Sequence, residues 1–385
     1  MDGMFPRSSA PHVYAQAFAV SAAQLDREGA FPFAHFVRLH DDRLLALTSL
    51  REDGGNDAGL AEVVELVGAV AEGCPSTALI LAMQLLQLKA ASRSPSWPAH
   101  LRRLVAHDAV QSGGLINTLR VEPALGTPAR GGLPETTARR QGDGWAISGH
   151  KIYSTGAPGL QWMLVFARTD EAAPRTGLFL VPAKSQGVRI IETWDQLGLR
   201  ASGSHDVVFD NVHIPLDHAV DVRAPEDWQR GDPDHAAWNN LTIAALYTGV
   251  ARAARDWLLR FLNDRAPANL GAPLATLPRM QEAVGGIEAL LAANHRLITT
   301  AAAEYDAGHG PSITECGLIK TLAADHAIRA VEEAVALTGN HGLSRRNPLE
   351  RHLRDVLCAR IHTPQADSAK IAAGRAALSQ QKTGG

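Results

Sequence analysis

Four segments hold residue types from which chemistry could be built. The first is Val121-Glu122-Pro123, with the run GTPARGG (126–132) behind it. The second, GHKIYSTGAP (149–158), sets an aromatic ring beside two hydroxyls at Tyr153, Ser154 and Thr155. The third is WDQLGLRASGSHDVVFDNVHIP (194–215) and the fourth TGNHGLSRRNPLERHLRD (338–355). Outside them, polar or aromatic residues of interest are Gln84, Gln87, Trp238, Asn239, Arg265 and His362, the last followed by Thr363-Pro364. Hydroxyls, amides, imidazole and guanidinium are the side chains that donate hydrogen bonds to an electron-rich ligand. Each also has an ordinary explanation. Tyr-Ser-Thr is good strand composition, Gly339 can simply end a helix, Arg265 can be a solvated helix-end arginine, and His362 is one of 16 histidines.

Several familiar signatures are missing. No GxGxxG follows a strand pattern, and no Walker GxxxxGK[ST], HExxH or GxSxG occurs. The three cysteines, Cys74, Cys316 and Cys358, lack CxxC spacing, so neither a disulfide framework nor a zinc site is expected, and no metal is assigned. A formal net charge of −3 with 20% charged residues shows no basic bias of the kind a nucleic-acid binder carries. The N-terminus lacks a signal-peptide pattern. No apolar run approaches the ~20 residues of a membrane span. A cytoplasmic protein without nucleic-acid or membrane partners is expected.

The elements that must position these residues change character twice. With 385 residues, 45% of them hydrophobic, two or three domains are expected. Leu60, Val63, Val64, Val67 and Val70 mark one face of a helix, and Ser76 is placed to cap the next, whose body TALILAMQLLQLKAA is apolar nearly all round. From about Leu115 the pattern shortens to strands. Gly142-Asp143-Gly144 reads as a hairpin connection, and Asp210-Asn211 reads as a turn within DVVFDNVHIP. Beyond Asp234 the helical period returns, and the helix AIRAVEEAVAL should stop at Gly339-Asn340. The fold class is α+β, with an N-terminal helical domain (1–114), a middle β-barrel or sandwich (115–225) and a C-terminal four-helix bundle (226–385).

Taken together and in order, the four segments resemble the acyl-CoA dehydrogenase superfamily. Its helix–β–helix order agrees with the one read from periodicity. The resemblance implies a flavin, FAD or alternatively FMN, with Tyr153 against the ring, Thr155 near N5 and Ser154 between them. It sets Leu119 to Val121 along the pyrimidine edge, Val121 standing where the family has a hydroxyl. It implies that Arg265, Gly339 and Gly342 reach the FAD of a neighbouring subunit in a homotetramer, although the residues after Arg265 lack the family's aromatic-glycine pair. Substrate would lie near Gln84, Trp238 and Thr363. Gly126-Thr127-Pro128 replaces the family's substrate-contacting stretch, which puts a CoA ester in question.

The family's α-proton base is a carboxylate. Counting from Arg354-Asp355, its usual position is Thr363 here, and its alternative position, aligned on Gly249, is Asn239. Neither is a carboxylate, and Asp367, one helical turn beyond Thr363, is a substitute only if the local helix is shifted. His362 resembles instead the histidine of the superfamily's two-component monooxygenases, the dibenzothiophene and sulfone monooxygenases among them. There reduced flavin from a separate reductase reacts with O₂, and the histidine with a hydroxyl matching Thr155 steadies the oxygenated flavin. His362, Thr155 and Asn239 are therefore the catalytic candidates. Three readings stay open: a flavin monooxygenase acting on a small molecule, a noncanonical acyl-CoA dehydrogenase served by an electron-transfer flavoprotein, and a catalytically silent flavoprotein subunit.

Overall fold

The valines at three- and four-residue spacing become the buried face of a helix in the computed structural model, which describes residues 12–124, 133–229 and 231–380. Five helices lead: α1 (His12–Glu28), α2 (Phe33–Asp41), α3 (Leu60–Gly73), α4 (Pro75–Arg93) and α5 (Ala99–Gln111). Leu60, Val63, Val64, Val67 and Val70 are all buried in α3, and α4 is buried along most of its length, as its apolar circumference requires. Ser76 does not cap α4. Pro75 takes the first helical position, where a missing N–H costs nothing, Cys74 precedes it, and Ser76 lies buried inside the first turn.

The eight strands of the middle segment form one hydrogen-bonded network. Its strands are β1 (Leu115–Leu119), β2 (Thr137–Gln141), β3 (Gly144–Lys151), β4 (Leu160–Thr169), β5 (Thr176–Pro182), β6 (Val188–Ile191), β7 (Asp206–Pro215) and β8 (Ala219–Arg223). Their order is β6-β7-β3-β2-β4-β5-β8, with β1 joining β4 in parallel off this path, so that β4 pairs with β1, β2 and β5. Gln141 pairs with Gly144, so Gly142-Asp143 makes a two-residue hairpin, and Gly142 has the positive φ, 59°, that such a turn asks of its first residue. Asp210-Asn211 is not a turn. Strand β7 runs through it, and the register against β3 slips there while Asn211 adopts φ 51°. It is a β-bulge, which uses the same residue types as a turn because both need a left-handed backbone step.

The C-terminal part consists of three long helices, α6 (Pro233–Asp264), α7 (Pro278–Asp306) and α8 (Ile313–Thr338), followed by the short α9 (Leu349–Leu357) and α10 (Ala366–Gln380). Helix α8 stops at Thr338, as expected, with Gly339 at φ 54° and ψ −132°. Helix α6 packs on α3, α7, α8 and α9, and it crosses α3 where a side chain on Gly249 would collide with the main-chain oxygen of Gly68. One continuous apolar core runs from Tyr14 through the sheet to Ala359, so α6 is held on both sides. Among the described residues no helix is long and apolar enough to cross a membrane.

Candidate active site

Strand β3 delivers the segment 152–157 beside the end of β1. Ile152 N–H donates to the Val121 carbonyl at 3.0 Å, and Asn117 Nδ2 on β1 donates to the Thr155 carbonyl at 3.0 Å. Leu119 is buried on the same strand. Tyr153 holds φ 57° and is 56% exposed, with its ring edge-on to Trp194 at 6.3 Å. A positive φ is costly for a bulky residue, and surrounding bonds must enforce it. Three of them come from the loop 194–206: Ser154 N–H to the His205 carbonyl, Gly156 N–H to that of Ser202, and Ala157 N–H to that of Gly203.

The same loop supplies a relay of hydroxyls. Ser202 Oγ lies 2.8 Å from Ser204 Oγ, and Ser204 donates to Thr155 Oγ1 at 3.1 Å. Thr155 Oγ1 thus accepts one hydrogen bond and still has its own hydroxyl proton to donate, for which the described residues offer no acceptor. Ser154 Oγ is buried and has no partner. In the sequence only their place in the segment 194–215 marks these serines; their role needs the fold.

His362 follows the short helix α9 and meets α6 and α8. The half-buried imidazole places Nδ1 2.5 Å from Oη of Tyr247, which is fully buried on α6. Burial, and then the nearby Lys320 ammonium, hold the imidazole pKa down at about 4. It is neutral at pH 7. Lys320, 2% exposed on α8, donates to the carbonyls of Ala359 (2.9 Å), His362 (2.6 Å) and Pro364 (3.2 Å). An ammonium has three protons, and here each meets a carbonyl at the end of α9 and the turn beyond it. Burial lowers the Lys320 pKa to about 8. Asn239 Nδ2 donates to the Thr363 carbonyl at 3.2 Å and to Asn240 Oδ1 at 3.1 Å.

Loop 194–206 joins the two halves. Leu199 N–H donates to Asp355 Oδ1 at 2.7 Å, and Arg354 donates to the Leu197 carbonyl at 2.9 Å while gripping Asp26 with both terminal nitrogens. Helix α9 carries Arg354 and Asp355 and leads straight to His362. Asp355 is 3% exposed, and burial raises its pKa to about 6. The loop that fixes Thr155 therefore also fixes the helix that delivers His362.

Arg265 lies exposed at the end of α6, and ring contact between Phe261 and His341 at 5.1 Å sets that helix end beside the turn of Gly339 and Gly342. The structure corrects two expectations about the substrate pocket. Gln84 is 1% exposed and uses its whole amide on main chain: Nε2 donates to Leu45 and Gly114, and Oε1 accepts from Ile116. It ties α4 to β1. Trp238, 3% exposed, packs edge-on against Tyr305 at 6.4 Å and under the Lys89 ammonium. Successive helix positions differ by about 100°, so Trp238 faces α4 and α7 while Asn239 faces Thr363. Thr363 itself is exposed, as is Asp367, whose Oδ1 accepts from Ser368 N–H at 2.7 Å. Gly126-Thr127-Pro128 lies outside the described residues. Sequence reasoning missed Tyr247 and Lys320, whose only signal is a polar residue inside an otherwise apolar helical stretch.

Two family descriptions match the chain: the acyl-CoA dehydrogenase middle domain over residues 120–212 and the acyl-CoA dehydrogenase C-terminal domain over 241–365. The putative acyl-CoA dehydrogenase YdbM of Bacillus subtilis is 33% identical over 365 residues, covering 93% of this chain and 92% of that protein. The human mitochondrial short-chain specific acyl-CoA dehydrogenase is 28% identical, covering 89% and 81%. Among solved structures, KijD3 in complex with FMN and a dTDP-amino-keto sugar superposes with a TM-score of 0.82 at 26% identity, covering 97% and 95%. With both matches in order and a relative this similar along nearly its whole length, the chain is a flavin-dependent oxidoreductase of the acyl-CoA dehydrogenase family.

Proposed function

We propose that this protein oxygenates a small organic substrate with reduced flavin and O₂. The observation that carries this reading is the pairing of Asn239 with Thr363: an amide and a hydroxyl occupy both positions from which a carboxylate base would act, beside a neutral imidazole. A base that removes an α-proton must sit within hydrogen-bond reach of it and be able to hold it.

The residues present fit a flavin. Thr155 has a hydroxyl proton to give, Tyr153 exposes an aromatic ring, and Ser154 Oγ is buried without a partner. Leu119, Val121 and the segment 153–155 would hold the ring, and Arg265 with Gly339 and Gly342 a pyrophosphate. That favours FAD, while the FMN bound by KijD3 keeps FMN as the alternative. Reduced flavin supplies the electrons for oxygen chemistry, and a separate reductase would deliver it. His362 and Thr155 then serve as hydrogen-bond donors, and Asn239 steadies the turn carrying His362. A homotetramer is part of this proposal, because Arg265 and the glycine turn would complete a neighbour's site.

A second reading is dehydrogenation of an acyl thioester, with electrons leaving to an electron-transfer flavoprotein. It draws on the names of the curated relatives, acyl-CoA dehydrogenases at 28–33% identity. It needs a base these positions do not provide.

The experiment is a stopped-flow mix of reduced-flavin protein with oxygenated buffer, wild type beside His362→Ala. We expect wild type to reoxidise through a transient distinct from both the reduced and oxidised spectra, and the variant to lose it. Featureless reoxidation identical in both proteins overturns the proposal.

A further inference from the structure

We infer that Tyr247 is a positioning residue that locks His362 as the Nε2–H tautomer, leaving the ring able to donate at Nε2 and unable to accept a proton there. The inference rests on the reading of His362 as a donor at the reacting end of the site.

Two arrangements suit the 2.5 Å separation of Tyr247 Oη and His362 Nδ1. Either the phenol donates to Nδ1, or Nδ1–H donates to the phenol oxygen. Burial decides between them. Tyr247 is 0% exposed, and Nδ1 is its sole hydrogen-bond partner among the described residues. If it accepted from the ring, its own proton would be buried without an acceptor, at a cost of about 1–3 kcal/mol. If it donates, that proton is satisfied, and the hydrogen left on the ring sits at Nε2. The imidazole is only half-buried, and Nε2 has no partner among the described residues, so it remains available for a ligand or water. The tautomer of a histidine is set by the bond its other nitrogen makes.

The ionisable groups around the pair agree with this choice. Lys320 lies on α8, and its positive charge opposes an imidazolium. Asp355 on α9 and Cys358 just beyond it both oppose ionisation of the phenol, which burial already pushes well above its ordinary value. Tyr247 therefore keeps its proton and His362 stays neutral. A ring in this state can hold an electron-rich oxygen by hydrogen bonding, but its one basic nitrogen is already engaged.

The test is nitrogen-15 NMR of histidine-labelled protein, with His362→Gln identifying the His362 signals by their loss. In wild type we expect a neutral ring with Nε2 protonated and Nδ1 bare. In Tyr247→Phe we expect loss of the bare-Nδ1 resonance from at least part of the population. A wild-type spectrum with Nδ1 protonated overturns the inference, whether or not the variant folds. The readout is separate from oxygen chemistry. An Nε2–H ring in a protein without an oxygen-dependent transient upholds this inference and sinks the proposed function. An Nδ1–H ring in a protein that shows the transient does the reverse.

Discussion

Asn239 Nδ2 reaches the main-chain oxygen of Thr363 across 3.2 Å, so the two positions to which the family resemblance would assign a carboxylate base are in direct contact, and neither side chain can ionise. Residues 124 apart in sequence are brought together by α6 and the turn after α9.

Mixing wild-type holoenzyme anaerobically with a panel of acyl-CoA thioesters should therefore leave the flavin oxidised. In Thr363→Glu a carboxylate returns beside Asn239. Any bleaching rate should then rise by at least ~10²-fold, the low end for a positioned general base. Prompt bleaching of wild type would reinstate the dehydrogenase reading.

Lys320 clasps three carbonyls around His362, and Lys320→Met would take that donor from all three, the Ala359 carbonyl being buried and the other two partly so. We expect a loss of about 2–4 kcal/mol in urea unfolding, since each stranded group costs about 1–3 kcal/mol with partial relaxation. Lys320→Arg should not rescue it, because a planar fork cannot reproduce three donors radiating from one nitrogen. Stability equal to wild type in the methionine variant would show that the clasp is dispensable.

The order of helices, sheet and helices was legible because hydrophobic period is a local property, and the valines of α3 and the Gly142 hairpin obey it. The bulge at Asn211 and the cap of α4 were misread because several backbone solutions share the same residue types. The site was legible only in part. Thr155 and His362 stand in recognisable segments, but Tyr247 meets His362 across 115 positions and Lys320 meets it across 42. Gln84 shows the opposite error: a buried amide looked available, yet its partners are main-chain groups 30 to 39 positions away.

Lys151 and Glu122 form an ion pair that is 0% and 1% exposed, with 2.5 Å between Nζ and Oε1. Glu122 also accepts from the N–H groups of Glu135 and Thr136, and Lys151 donates to the Phe166 carbonyl. The pair joins the chain after β1 to β3 just ahead of Tyr153. Glu122→Gln keeps the shape and strands an ammonium, so about 3–5 kcal/mol should be lost, with weaker flavin retention. Adding Lys151→Met should recover part of that loss, measured as non-additivity in a double-mutant cycle. Strict additivity would mean the two groups do not act as a pair.

Stability should fall as the solution is acidified from pH 6.5 toward 4. Burial lowers the pKa of His35 and His362 to about 4 and that of His352 to about 3, from 6.5 when unfolded. In that window the unfolded chain binds protons that the folded chain refuses, so unfolding is favoured as pH drops. Asp355 opposes this, since its folded pKa of about 6 exceeds the unfolded 3.8 and the native state gains a proton over much of the same range. The depressed histidines outnumber this aspartate, so unfolding takes up protons on balance and stability falls with pH through this window. His352 decides the matter most cleanly, because it is 3% exposed and its Nδ1 has no partner. His352→Leu should flatten the slope of urea stability against pH by about one proton, with little change above pH 7. An unaltered slope would show that His352 takes up no proton on unfolding, and the acid sensitivity would then have to come from other groups.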